Sequence, residues 1–250
     1  DLDPDLAKRL FEQLPKDAGV MLGGLGDALL HSQWETIVQH AHDAVVMAIG
    51  IETDLLCDRE TINRLLELPI ELIVVRLNAD RAETYRKVMG EDRFKNVLDN
   101  LQHLFSSRNE QANKNRGMPG LPWIVPHMVK TVETMTDLEG FFDKWMMICG
   151  DAILDGPRCG CGLMPDLSVV PMTPPGRRAC QQLGRRMSIL SNGQVALCDQ
   201  DWQGRGSLGD AKIATLQDIW AKHLVIAEAH QQQSFTKLTL CGDCNEWHRA

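Results

Sequence analysis

The sequence has no excess of basic residues. Lys and Arg number 26 against 34 Asp and Glu, a net charge of −8, whereas a nucleic-acid surface needs a clustered surplus of cations. The same deficit argues against adhesion to anionic lipid. No apolar run approaches the roughly 20 residues that a membrane-spanning helix requires, and no secretory leader is visible. No internal repeat stands out. Cysteine is too sparse for a secreted disulfide scaffold, with eight in 250 residues, because such scaffolds are short and dense in bridges. These absences predict a protein with no nucleic-acid or membrane partner, in a reducing cytoplasm where thiolates stay free to bind metal. The first residue is Asp rather than Met, and "DLDPDLAKRLFEQL" already reads as helix. The expectation is therefore a chain that begins partway through a longer protein.

What is present is ordinary for a globular chain: 44% hydrophobic and 24% charged residues, and length enough for a large core and one or two domains. The first 150 residues alternate in pattern. "DPDLAKRLFEQLP" carries Leu6, Leu10 and Leu14 at helical spacing behind Asp3, a plausible N-cap. "GVMLGG" (19–24), "AVVMAIG" (44–50), "IELIVVRL" (70–77) and "LPWIVPHMVK" (121–130) read as strands, near-continuous apolar runs of the kind buried parallel strands show. "SQWETIVQHAHD", with Ser32 as candidate cap, "DRETINRLLEL", a long stretch from Arg81 to about Phe105, and "DLEGFFDKWMMICG" read as helices. "SSRNEQANKNRGMPG" (106–120) reads as a surface loop. Strand–helix alternation of this kind predicts an α/β fold with a parallel sheet.

After residue 150 the character changes. "DGPRCGCGLMPDLSVVPMTPPGRRAC" is rich in Pro, Gly and Cys, and a domain boundary is expected near residue 155. "RRMSILSNGQVALC" reads as a hairpin around Asn192–Gly193, and "ATLQDIWAKHLVIAEAHQQQ" as a helix. The chain then closes on "LCGDCNEWH", with Cys241 and Cys244 two residues apart.

A C-x2-C pair alone admits zinc, an iron–sulfur cluster, a redox dithiol or no function. The hairpin supplies partners. Cys198 ends its second strand and Cys180 lies ahead of its first, so the two can meet, and the following helix can return Cys241 and Cys244 to the same end. The resulting order, Cys180-x17-Cys198-x42-Cys241-x2-Cys244, offers four thiolates, which suit tetrahedral zinc or a [4Fe–4S] cluster. Cys159 and Cys161 in "RCGCG" could add a ligand or serve a redox role but read first as loop cysteines, and Cys57 and Cys149 read as buried small hydrophobes. His223 and His230 stand two helical turns apart, too far for one ion without other ligands. Trp220 and Trp247 read as core of a small domain.

Residues 180–247, with "C…GRRMSILSNGQVALCDQD…GSLGDAKIATLQDIW…LCGDCNEW", resemble the SPASM domain, the C-terminal cluster-binding module of many radical S-adenosylmethionine enzymes. The shared features are the first Cys, Gly193-x4-Cys198, the acidic Asp199 and Asp201, the Leu208-Gly209-Asp210 turn, the helix ending in Trp220 and the closing C-x2-C. The resemblance implies one auxiliary [4Fe–4S] cluster on Cys180, Cys198, Cys241 and Cys244. The longer form of the module has more cysteines and two clusters.

The N-terminal part is similar to a radical SAM barrel. "GGLGDALLH" (23–31) stands where that family often has G-x-G-E-P-L-L-H, which implies S-adenosylmethionine bound at Gly24, Gly26 and Asp27, with Asp27 holding the amino group of its methionine moiety. Small residues there let a ligand approach, and a carboxylate is a sound ammonium receptor. Two other motifs have drifted: "IETDLL" (51–56) replaces T-N-G-x-L-L, and "RLN" (76–78) replaces S-L-D. The C-x3-C-x2-C of the radical-generating cluster is absent from these 250 residues, so it either lies upstream or has been lost.

The expectation is an α/β fold: a partial (β/α) radical-SAM-type barrel lacking its first strand over residues 1–155, and a small cluster-binding domain with a hairpin and a helix over 156–250. The expected function is the iron–sulfur-binding portion of a radical SAM/SPASM protein that modifies a peptide or protein substrate, with a reductant protein as a further partner. The auxiliary cluster would serve electron transfer or structure. The alternatives are a non-catalytic, degenerate partner protein and a zinc-stabilised module.

Overall fold

The structure is a computed structural model that describes residues 1–114, 120–165, 167–170, 173–235, 240–242 and 244–248. The chain opens with α1 (Pro4–Phe11), whose Asp3 cap accepts the Asp5 N–H at 2.9 Å and whose first residue is proline. Proline suits that position because its missing N–H would be unpaired there anyway. The chain divides into two compact units, Pro15–Gly156 and, from both ends of the sequence, Asp1–Leu14 with Pro157–Ala250.

Pro15–Gly156 is built on five parallel strands in the order β1 (Gly19–Leu22), β2 (Ala48–Thr53), β3 (Leu72–Arg76), β4 (Trp123–Val129) and β5 (Ile153–Asp155). The helices between them are α2 (Trp34–Asp43), α3 (Arg59–Glu67), α4 (Ala82–Met89), α5 (Phe94–Lys114) and α6 (Leu138–Cys149). Spatial order equals sequence order, the signature of repeated strand–helix–strand units. Ile51, Ile73, Val75 and Ile124 from the central strands are buried, as are Ile62, Leu65, Leu101 and Leu104 from the helices. Asp58 caps α3 through the Thr61 N–H at 2.8 Å. The mixed α/β class with a parallel sheet is as the sequence predicts.

The structure differs from the sequence reading in several places. Residues 106–114 are helix, because α5 runs on to Lys114. Their polar composition marks a solvated last stretch, while Val97, Leu101, Leu104 and Phe105 anchor the buried turns upstream. The single helix expected from Arg81 to Phe105 is two, divided at Gly90, whose φ of 75° ends α4 in the left-handed conformation. Strand β2 starts at Ala48 rather than 44, because Val45 turns the chain at a φ of 59°. Ser32 is not the cap of α2. Gln33 occupies that position with no side-chain bond, and His31 Nδ1 accepts the Gln33 N–H instead. Strand β5, only Ile153–Asp155, is too short to leave a pattern.

In the other unit, β6 (Ser188–Ile189), β7 (Gln194–Ala196) and β8 (Gly209–Asp210) form an antiparallel sheet, followed by α7 (Leu216–Gln231). The hairpin is as expected, with Gly193 at a φ of 86° and the Asn192 side chain accepting the Gln194 N–H at 2.9 Å. The expected Leu208–Asp210 turn supplies β8. Thr215 caps α7 through the Asp218 N–H.

Leu6 and Leu10 of α1 enter this unit's core with Val195, Leu197, Leu208 and Ile219. The Gln13 side chain accepts the Leu216 N–H at 2.9 Å. Helix α1, which the sequence reading placed in the barrel of residues 1–155, thus belongs with the C-terminal module. Its 3.6-residue apolar period marks an amphipathic helix but says nothing of which core that face enters.

Candidate metal centre

Cys180, Cys198, Cys241 and Cys244 come from three stretches of chain and line one pocket. Cys198 follows the end of β7, and Cys241 and Cys244 follow α7, which carries the chain back. The Cys244 N–H donates to the Cys241 carbonyl at 3.3 Å, so the pair sits on a turn. The turn is tied down from the side of Cys180. Arg177 donates to the carbonyls of Cys241 and Gly242, and the Gln181 N–H donates to the Trp247 carbonyl at 3.1 Å. Leu183, Leu197, Leu240 and Trp247 complete the wall as apolar surface.

Burial pushes the Cys241 thiol up to about 12 and the Cys244 thiol to about 11, and neighbouring cysteine charges add to the rise in both. Cys180 is raised chiefly by burial as well. Cys198 is raised most by a hydrogen bond with Cys161, then by burial. Four thiols so placed resist becoming four anions unless a strong positive charge enters among them. Among the described residues, however, no three His, Cys, Asp or Glu side chains converge tightly enough to hold one metal ion.

Cys161, on a turn, is the fifth cysteine of the pocket, the place that its alternative reading as a further ligand requires. Its loop is fastened to the segment after Cys198. Arg158 pairs with Asp199 at 3.2 Å, Gly160 N–H donates to the Gln200 side chain, and Arg205 donates to the Gly160 and Cys161 carbonyls. Gly160 has a φ of 57°, and a Cβ there would stand 2.7 Å from the Trp202 ring, so only glycine fits. Asp201, buried, accepts the Arg205 and Gly206 N–H groups at 2.8 Å each. The acidic residues behind Cys198 therefore build the turn, and neither lines the pocket.

Sequence reasoning missed two further residues of this pocket, Arg177 and His230. His230 Nδ1 accepts the Cys180 N–H at 3.3 Å. Burial, and after it the Arg177 charge, lower its pKa from the ordinary histidine value. The one signal available was its helical register with His223, which is also buried but does not line the pocket.

The sheet unit carries the other predicted positions. Gly24 and Gly26 stand in the turn after β1, and an added Cβ at either would meet nothing within 4 Å. Asp27 caps a 3-10 turn over Ala28–Leu30. Its Oδ1 accepts the Leu29 N–H at 2.9 Å, and its Oδ2 accepts the Thr53 hydroxyl at 2.9 Å and the Asp54 N–H at 2.8 Å. The drifted motifs join the same strand-end network. Glu52 accepts the Gly24 N–H, and Arg76 donates to Asp54 at 2.9 Å and to the Gly24 carbonyl at 3.0 Å. Asn78 bridges instead to the Val129 N–H and to Met89 Sδ.

Residues 180–245 match the model of the SPASM iron–sulfur cluster-binding domain. An uncharacterized protein of Treponema pallidum (strain Nichols) is 32% identical over 130 residues, which are 52% of this chain and 35% of that protein. The chain thus spans about a third of the length of the curated relative it matches. Two solved structures share the fold. BtrN in complex with AdoMet and 2-DOIA superposes with a TM-score of 0.60 at 16% identity, covering 98% of this chain and 80% of BtrN. Streptococcus suis SuiB bound to precursor peptide SuiA gives 0.61 at 12% identity, covering 87% and 57%. The chain thus carries a SPASM-type iron–sulfur module at residues 180–245 and shares its fold over most of its length with BtrN and SuiB.

Proposed function

We propose that Cys180, Cys198, Cys241 and Cys244 hold one auxiliary [4Fe–4S] cluster in a protein that modifies a peptide or protein side chain by radical SAM chemistry. The observation that carries this is the gathering of the four thiols around one pocket within the segment that matches the SPASM iron–sulfur model. A cubane takes one thiolate at each of its irons, which four cysteines on one pocket can supply. When bound, the cluster supplies one-electron exchange. The apolar walls exclude water from it, and Arg177 holds the Cys241–Cys244 turn in place. With a cysteine for every iron, electron transfer or support of the module is favoured over direct ligation of substrate, and a reductant protein is the matching partner. A peptide substrate draws its support from SuiB, which is described with a bound precursor peptide.

In the same reading, Gly24, Gly26 and Asp27 receive the methionine end of S-adenosylmethionine. An ionised carboxylate offers about four lone-pair directions, and Asp27 uses three of them within the protein. The remaining direction suits an ammonium group.

Anaerobic reconstitution of the full-length protein, with assay of iron, sulfide and zinc, tests the cluster. Iron and sulfide are expected at four each for these ligands, with Cys241→Ser losing them and Cys161→Ser keeping them. Colourless protein with one zinc, or an unchanged Cys241→Ser variant, overturns the assignment. Calorimetric titration with S-adenosylmethionine tests the second site. Asp27→Asn should weaken binding about tenfold, the loss of one charge-assisted hydrogen bond; equal affinity removes Asp27 from the site.

A further inference from the structure

Two N–H groups at the thiol pocket lack an acceptor among the described residues. His230 is 2% exposed. Its Nδ1 accepts the Cys180 N–H, and an imidazole nitrogen that accepts carries no proton, so the ring's proton sits on Nε2. That Nε2 is buried without a partner. The Phe235 ring stands edge-on at 5.1 Å and helps fix the imidazole plane. Arg177 repeats the pattern. Two of its nitrogens donate to the Cys241 and Gly242 carbonyls, its guanidinium stands 4.4 Å from the Phe235 centroid, and its Nε is buried without a partner. Both side chains line the pocket of the four cysteines.

An unmade hydrogen bond on a buried donor costs about 1–3 kcal/mol, and buried donors in native proteins nearly always have an acceptor. The side chains of Leu183, Leu197, Leu240 and Trp247 offer none. The cysteine sulfurs as they stand do not accept either donor, which leaves sulfur of a bound cluster, its sulfides or the thiolates drawn to its irons.

We propose that His230 Nε2–H, with Arg177 Nε–H beside it, donates hydrogen bonds to sulfur of the auxiliary cluster and raises its reduction potential. The proposal rests on the cluster reading above. Hydrogen bonds to cluster sulfur favour the more negative, reduced state, which is how proteins shift such potentials without changing ligands. No proton moves and no bond breaks; one electron enters and the donors stabilise the added charge. His230 is accordingly a positioning residue for electron transfer, and the module is tuned as a carrier as well as stapled by metal.

The test uses full-length protein, reconstituted anaerobically, as wild type, His230→Leu and His230→Gln. Iron and sulfide content is measured, and the cluster's midpoint is followed by electron paramagnetic resonance during a potentiometric titration. Unchanged content is expected in both variants. In His230→Leu the equilibrium constant for one-electron reduction should fall about tenfold, a midpoint about 59 mV more negative. His230→Gln keeps an N–H donor and should recover most of that loss. Equal midpoints in all three proteins overturn the proposal, and so does loss of iron from His230→Leu, which would make the histidine a structural support. Wild-type protein that takes up no iron fails the cluster reading itself, a result distinct from either.

Discussion

Asp137 shows what one side chain holds in the sheet unit. It is 2% exposed, and its carboxylate accepts the Asp80 N–H at 2.8 Å, the Arg81 N–H at 3.0 Å and the Arg81 guanidinium. Burial pushes its pKa up, but Arg81 and the backbone donors outweigh that, and the net shift is down. A carboxylate lowered in the folded state contributes stability above its unfolded pKa of about 3.9 and loses it as the pH falls through the lower folded value. Asp137→Asn should cost about 2–4 kcal/mol in urea unfolding at pH 7, since charged hydrogen bonds are lost in a buried place. The variant should also show a shallower decline of stability below pH 4; an unchanged slope would assign that decline to other groups. At this scale the sequence was legible where chemistry repeats. Four cysteines at fixed spacing announce a site. His230 and Arg177 were not legible, and Cys161 only as an alternative, because a histidine on a helix, an arginine in a Pro-rich loop and a cysteine between glycines acquire meaning only when the chain brings them to one pocket.

At the level of elements, legibility followed length and period. The central strands and α3 were readable because their apolar patterns are strong and Asp58 marks a start. The end of α5 was not, since solvated helix and loop share a composition and the difference lies in what packs upstream. Helix α1 was recognisable as a helix and misplaced as to its partner. Leu10→Ala should therefore destabilise by about 2–5 kcal/mol, the usual cost of truncating a buried leucine. Hydrogen exchange can locate the effect. Amides of β6, β7 and α7 should lose protection while those of β2 and β3 keep theirs. Faster exchange confined to the parallel sheet would contradict the assignment of α1 to the cysteine module.

For the whole molecule, the division into two units predicts two separable unfolding events. Metal binding energy is folding energy for the unit that supplies the ligands. Stripping the metal with a chelator under oxidising conditions should lower the melting temperature of one transition, that of the cysteine unit, and leave the other within a degree or two. A single transition that moves as one would show that the two units unfold together. The sequence disclosed both fold types, a parallel sheet and a cysteine-bearing hairpin, but it could not disclose that the second is assembled from both ends of the chain.

That arrangement carries a consequence for how the protein is made. Helix α1 leaves the ribosome before β1 to β5 of the parallel sheet, yet the apolar residues that cover it, Leu208 and Ile219 among them, emerge only after β5. Domains generally fold as units during synthesis, so the sheet can close while α1 still waits with its apolar face unmet. Cys241 and Cys244 come later still. The metal site is then finished only after the sheet, once Cys244 has emerged. A chain cut short before Leu208 would hold a folded sheet with an orphan helix and no place for metal, a product that a cell would meet as a substrate for chaperones.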